Sequence, residues 1–187
     1  NGLPLASSKT SLSDALHAAV RALTRHGHRR IVAVSPESWR VPEFNKSARE
    51  FQSAMEENGH QFSTYNLPNW GCTPDGLENL LNSLFRVTPP TALLFVEPAS
   101  CAGALGFLGR KGLLIPRDIS ILSMTTSPVF DLLPQRLAHF EWPIDSHVQR
   151  AARWVERIAM GKIEKLESTF SAIFHPGETI GPANHGT

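Results

Sequence analysis

This sequence is short of several things, and each shortage excludes something. It has only two cysteines in 187 residues, Cys72 and Cys101. They form no C-x-x-C pair, and they read as free thiols of a reducing compartment rather than as a disulfide. Net charge is nearly absent, with 18 Lys and Arg against 17 Asp and Glu. That balance gives no reason to expect a general nucleic-acid or membrane surface. No apolar run approaches the roughly 20 residues that span a bilayer. The start carries neither a secretory leader nor an initiating methionine. A chain opening on Asn1 reads as a fragment or a processed product. No zinc pattern is visible either, because the eight histidines show no ligand pair at helical spacing. The one glycine-rich stretch, GALGFLGRKG at 103–112, lies on a predicted helix and lacks the Lys-Ser/Thr ending of a phosphate loop. Ser100 and Cys101 open a predicted helix without a histidine nearby to act as base. No catalytic residue, cofactor site or metal site is therefore assigned.

What is present alternates in period. A capping Ser11 or Ser13 precedes an apolar face of Leu16, Ala19, Val20 and Leu23, closed near His26-Gly27. A strand over 31–34 follows, then a helix over about 45–58 with Ala48, Phe51 and Met55 inward. FSTYNL reads as a short strand. Thr73 caps and Pro74 starts the next helix. The continuous apolar run ALLF suits a parallel sheet with both faces covered. A small-residue helix to Arg110, a strand over 119–124, the strand LAHFEWP, a long helix over about 144–160 and a last strand in STFSAIF complete the pattern. Strands alternating with helices through short connections predict an α/β fold, a parallel sheet with helices on both faces. The basic cluster Arg25, His26, His28, Arg29 and Arg30 is read as a structural turn, since positive charge suits a helix C-terminus.

Several pieces stand in a telling order: LTRHGHRRIVAVS, PPTALLFVE, CAGALGFLGRKG, LLIPRDISILSM, RLAHFEWP and ERIAMGK. In this order and spacing they resemble the effector-binding domain of the LacI/GalR family of bacterial transcription regulators, over roughly residues 13 to 181. The resemblance implies a periplasmic-binding-protein type I-like fold of two subdomains joined by three crossovers, here with an incomplete first subdomain. On that comparison residues 1–12 are an arm or disordered start. Residues 13–35 and 143–162 are the remnant of the first subdomain, and 36–142 and 163–187 are the second. It further implies a cytoplasmic homodimer that senses a small molecule, a sugar or sugar derivative, for carbohydrate genes. DNA would be bound only through a head that this chain lacks, and no membrane is involved. A periplasmic sugar-binding protein fragment and a small enzyme stand as alternatives.

The family's ligand contacts carry over unevenly. Where an arginine usually stands four residues before an aromatic, here Phe51, the chain has Ser47. Glu97 and Pro98 replace an Asn-Asp pair, and Thr125 and Thr126 replace an acidic pair. Trp70 takes the place of an aromatic against the sugar ring, and Trp142 lies at a crossover that faces the cleft. Trp39 and Arg40 in the first loop are further candidates. Two readings follow: a different ligand bound by Trp70, Glu97, Thr125, Trp142, Ser47 and Arg40, with Glu97 the main acceptor, a buried carboxylate at a strand end, or a pocket that has drifted and no longer binds one.

Overall fold

The computed structural model describes residues 7–41, 43–162 and 167–184. Twelve helices and strands fall into two groups. The larger group is a five-stranded sheet of β2 (Ile31–Val34), β3 (Ala92–Phe95), β4 (Ser120–Ser123), β5 (Ala138–Glu141) and β7 (Ile173–His175), hydrogen-bonded in that order. The first four run parallel in register, and β7 joins β5 antiparallel. The smaller group pairs β1 (Ser7–Thr10) with β6 (Glu167–Phe170), parallel, beneath α5 (Ile144–Ala159). His147 on α5 bonds Thr10 Oγ1 at 2.9 Å and sets its ring edge against Phe170.

Alternation along the strands divides the core. Ile31, Ala33, Ala92, Leu94 and Leu122 face α1 (Leu12–Arg25) and α2 (Lys46–Glu57), meeting Leu16, Val20, Leu23, Phe51 and Met55. Val32, Val34, Leu93, Phe95 and Ile121 face α3 (Pro74–Val87) and α4 (Pro98–Arg110), meeting Leu77, Leu81, Phe107 and Leu108. Both faces are dry, which is why ALLF carries no polar residue. The helix starts are set by side chains. Ser11, Asn45 and Thr73 accept from the backbone N–H three residues on, as N-caps do.

Four expectations need correction. The start is not all arm: 1–6 lie outside the described residues, but Ser7–Thr10 is a strand. α1 and β2 do not group with α5. β2 hydrogen-bonds β3 and α1 packs on α2, so 11–35 belongs to the larger group, and β1, α5 and β6 form the smaller one. FSTYNL is a turn. Asn66 bonds the edge of β2 twice, accepting from Ala33 N–H and donating from its amide to Ile31 O, and it also caps Ser63. Pro68 two residues on has no N–H with which to extend a ladder. STFSAIF is two strands in two sheets, divided at Ser171 and Ala172.

The chain therefore passes between the groups three times, at Thr10–Ser11, at Trp142–Pro143 and at Ser171–Ala172. The first and third passages touch, with Ser11 N–H donating to Phe170 O at 3.1 Å. The tail after β7 is stitched into the larger sheet. Thr179, 2% exposed, donates from Oγ1 to Ile121 O and accepts from Ala138 N–H, bridging β4 and β5 where they diverge. His28, from the basic cluster, is buried and bonds Gly181 O at 3.0 Å.

Two outcomes are expected. Thr179→Val removes both bridging bonds and leaves buried groups unpaired, so urea denaturation should show a loss of about 2 kcal/mol or more. His60 is buried against Thr24 Oγ1 at 2.6 Å, and burial, with the charge of Arg29, holds its pKa below 6.5. Native His60 thus stays neutral where the unfolded chain is protonated. Stability should fall on acidification from pH 6.5 down to that lowered pKa and then level off. His60→Asn should flatten this slope between pH 7.5 and 5; an unchanged slope would assign it to other groups.

Candidate functional site

Four parallel strands deliver their carboxyl ends to one edge, spaced about 4.8 Å apart. In open α/β sheets this edge is where ligands sit, beyond the strand ends and beside helix N-termini. Its boundary is well defined: Val96 N–H donates to Val34 O, and Met124 N–H to Phe95 O at 2.7 Å. The candidate residues follow these ends in strand order.

Past β2 stands Ser35, fully buried, and two side chains converge on it. Trp70 donates its indole N–H to Ser35 O at 2.8 Å. Arg40 donates from Nη1 to Ser35 Oγ at 2.9 Å and from Nη2 toward Asn69 Oδ1 at 3.4 Å. Arg40 follows the single 3-10 turn Glu37–Trp39, which the buried Trp39 anchors. Its guanidinium lies below the ordinary arginine range, chiefly from burial, which the Cys72 thiol and the Glu37 carboxylate partly offset. Trp70 is half-buried against the α3–α4 side of the core. Its loop is tightly made: Gly71 and Cys72 take φ of 69° and 51°, and a Cβ on Gly76 would stand 1.8 Å from Trp70 O. Only glycine fits there.

Past β3 comes Glu97, at the N-cap position of α4 without a side-chain capping bond. It is exposed, contrary to the expected buried carboxylate, because the chain leaves the sheet one residue after Phe95 and turns into solvent. Its desolvation therefore gives no argument for a role; its place at the edge does. Past β4, Thr125 is bound into a local turn: Ser123 Oγ donates to Thr125 O, Thr125 N–H donates back to Ser123 Oγ, and Thr125 Oγ1 donates toward Thr126 O. Thr126 turns away to line a separate hollow of about 470 Å³ with Phe130, Arg136, His139 and His175. Past β5, Trp142 donates its indole N–H to Met124 O at 2.7 Å, packing on the α1–α2 side of the core. Ser47 sits half-buried in the first turn of α2.

The sequence reading thus named residues at all four strand ends. It missed Ser35 and Asn69, whose polar groups set Arg40 and Trp70. The one available signal was a serine closing an otherwise apolar strand. Among the described residues no three or more His, Cys, Asp or Glu side chains could hold a metal ion, and no helix is long and apolar enough to cross a membrane.

The sequence profile of the periplasmic binding protein-like domain matches residues 20–179, and the chain belongs to that family. A curated relative, the HTH-type transcriptional repressor PurR of Pasteurella multocida (strain Pm70), is 32% identical over 110 residues, covering 56% of this chain and 31% of the repressor. The chain thus spans about a third of that relative's length. Among solved structures, a LacI family transcriptional regulator from Enterococcus faecium with bound ribose aligns with a TM-score of 0.80 at 18% identity, over 98% of this chain and 68% of that one. Another, from Arthrobacter sp. FB24 in complex with lactose, gives 0.78 at 17% identity, over 94% and 65%. These likenesses establish the fold.

The two cysteines should behave oppositely. Cys72 is exposed, whereas Cys101 is buried and its thiol is pushed up to about 12 by that burial. A thiol reagent should modify one cysteine per chain promptly in the native state and the second only in urea. Rapid reaction of both would contradict the packing of α4.

Proposed function

We propose that this chain is the ligand-sensing domain of a LacI-type bacterial transcription regulator that acts in the cytoplasm, and that its effector is a sugar or sugar derivative held at the carboxyl edge. The observation that carries the proposal is that edge itself. Trp70 and Arg40, Glu97, Thr125 and Trp142 follow four neighbouring parallel strands, in a fold shared with regulators whose structures hold ribose or lactose. The polar set differs from a sugar clamp built on an arginine in α2, since Ser47 offers only a hydroxyl. Trp70 supplies an aromatic surface for the apolar face of a sugar, and Glu97 accepts its hydroxyls.

Mechanism follows from the three passages. A ligand held between the two groups favours one angle between them, and its differential affinity for the two angles is what shifts the equilibrium. DNA is contacted by a separate head, so this chain by itself does not read an operator. Two copies pair about a two-fold axis. The curated repressor relative favours this reading over a periplasmic sugar-binding protein.

A thermal-shift screen with ribose, lactose and other sugars tests it. At a ligand concentration 100 times Kd the stabilisation should be about 2.7 kcal/mol. Trp70→Ala and Glu97→Gln should each remove most of the shift, and Thr125→Val less, because that hydroxyl is already spent on the turn. The same preparation should sediment as a dimer. A sugar that binds while neither Trp70 nor Glu97 matters would displace the site from this edge, and a strict monomer at high micromolar concentration would remove the pairing.

A further inference from the structure

Arg40 is held in an unusual electrostatic position. Its backbone is fixed by the 3-10 turn, with its N–H donating to Glu37 O at 2.8 Å. Its guanidinium reaches back to the end of β2 and bonds the neutral oxygens Ser35 Oγ, Ser35 O and Asn69 Oδ1, while the Cys72 thiol and the Glu37 carboxylate offset its burial only in part. Among the described residues no carboxylate lies within 4.0 Å of it. Its Nε is withdrawn from water without a partner. Of its five N–H donors, those on the Nε–Nη2 side form the parallel pair that matches a carboxylate or phosphate. On that side Nη2 makes a long, 3.4 Å contact to Asn69 Oδ1, and the Cys72 thiol also bonds the guanidinium. Keeping a cation out of water with unspent donors is costly, and a bound oxyanion offsets that cost.

The surroundings agree in sign. α2, α3 and α4 all begin at this edge, so the positive ends of three helix dipoles point toward it. Lys46 and Arg49 are nearby in sequence but exposed on α2, whereas Arg40 is half-buried at the strand end itself. Two carboxylates stand at this edge: Glu37, exposed in the 3-10 turn and not within 4.0 Å of the guanidinium, and Glu97, past the neighbouring strand β3. At the end of β2 the half-buried charge is the cation Arg40, and the carboxylates Glu37 and Glu97 are both exposed.

We infer that the ligand of this edge is an anionic polyol, a sugar acid or sugar phosphate, whose oxyanion is bound by Arg40 beside Trp70 while its hydroxyl end lies toward Glu97 and Thr125. This rests on reading the edge as the ligand cleft, and it names the class of ligand. Ser35 and Asn69 are positioning residues that aim the guanidinium.

The test is calorimetric titration of the whole chain with D-gluconate, ribose 5-phosphate and inorganic phosphate, against the uncharged D-glucitol and ribose. Gluconate or ribose 5-phosphate should bind at least tenfold more tightly than its neutral counterpart, and the two arms show which oxyanion is preferred. The preference should shrink as salt rises. Arg40→Gln should abolish it, bringing each anionic probe to the affinity of its neutral counterpart. Arg40→Lys, which keeps charge but not the paired donors, should fall between. Unfolding curves of each variant confirm that it is folded; if Arg40→Gln is not, Arg40→Lys and the salt dependence decide. Neutral sugars binding as well as anionic ones, with Glu97 and Trp70 required, would overturn the anionic class and leave the cleft standing. Anion binding unaffected by Arg40→Gln would place the anion elsewhere and also overturn it. No binding by any probe up to millimolar concentration would overturn the cleft and the inference together.

Discussion

A sheet that is dry on both faces constrains everything else in this molecule. Strands β2, β3 and β4 are buried along their whole length, so no ligand-facing side chain can sit within them. Polar chemistry is displaced to the strand ends. Because the strands run parallel, the two edges are electrostatically unlike: α2, α3 and α4 begin at one, and α3 and α4 end at the other. A hollow of about 920 Å³, larger than the one that Thr126 lines, lies at that other edge, where Arg30, Thr91 and Asp118 precede the strands. Its cations are accounted for locally. Arg86 lies in the last turn of α3 and Lys111 follows the last turn of α4, where both oppose the negative end of a helix. Arg30 donates to Pro89 O at 2.7 Å. Size alone therefore does not locate the site. Arg40 has no such explanation, since it sits at the positive end of the helices and gains nothing from their dipoles.

What was legible in the sequence was local. Ser11, Asn45 and Thr73 announce helix starts because a cap needs only a side chain three residues before the N–H it accepts. The apolar run at 92–95 announces a buried strand for the same kind of reason. What failed was non-local. Nothing between Glu167 and His175 tells that Phe170 pairs with one sheet and Ile173 with another, because both segments have the same strand-like composition and the choice is made by distant partners. The grouping of α1 and β2 failed likewise. Periodicity shows that Leu16 and Val20 face a core, not which core. FSTYNL failed because one residue, Asn66, bonds the edge of β2 with its backbone carbonyl and its side-chain amide in place of a strand.

The site divides along the same line. Position past a strand was readable, so Glu97, Thr125 and Trp142 were placed beyond β3, β4 and β5, whereas Trp70 follows no strand and reaches the same edge only through Ser35. Exposure and bonding were not. Glu97 was expected buried because a buried strand precedes it, but burial ends abruptly where α4 begins. Arg40 was named only as a further candidate, since its place depends on Ser35 and Asn69 holding it still and on no carboxylate of the described residues coming within 4.0 Å of it.

The two tryptophans show how such a site reports outward. Each spends its indole N–H on a backbone carbonyl at a strand end, Trp70 on Ser35 and Trp142 on Met124. Neither is a loose aromatic flap. Trp142 also stands at the second passage to the smaller group, directly before Pro143 and α5. Met124 O, which it grips, lies one residue before Thr125. A ligand that moves the end of β4 therefore moves an atom bonded to the chain that leads into α5, through a single hydrogen bond rather than a long path. The other passages reinforce this, since Ser11 and Phe170 are bonded to each other and turn together. With three crossings and one of them tied to the end of β4, the relative angle of the two groups is the degree of freedom that a ligand at this edge would bias.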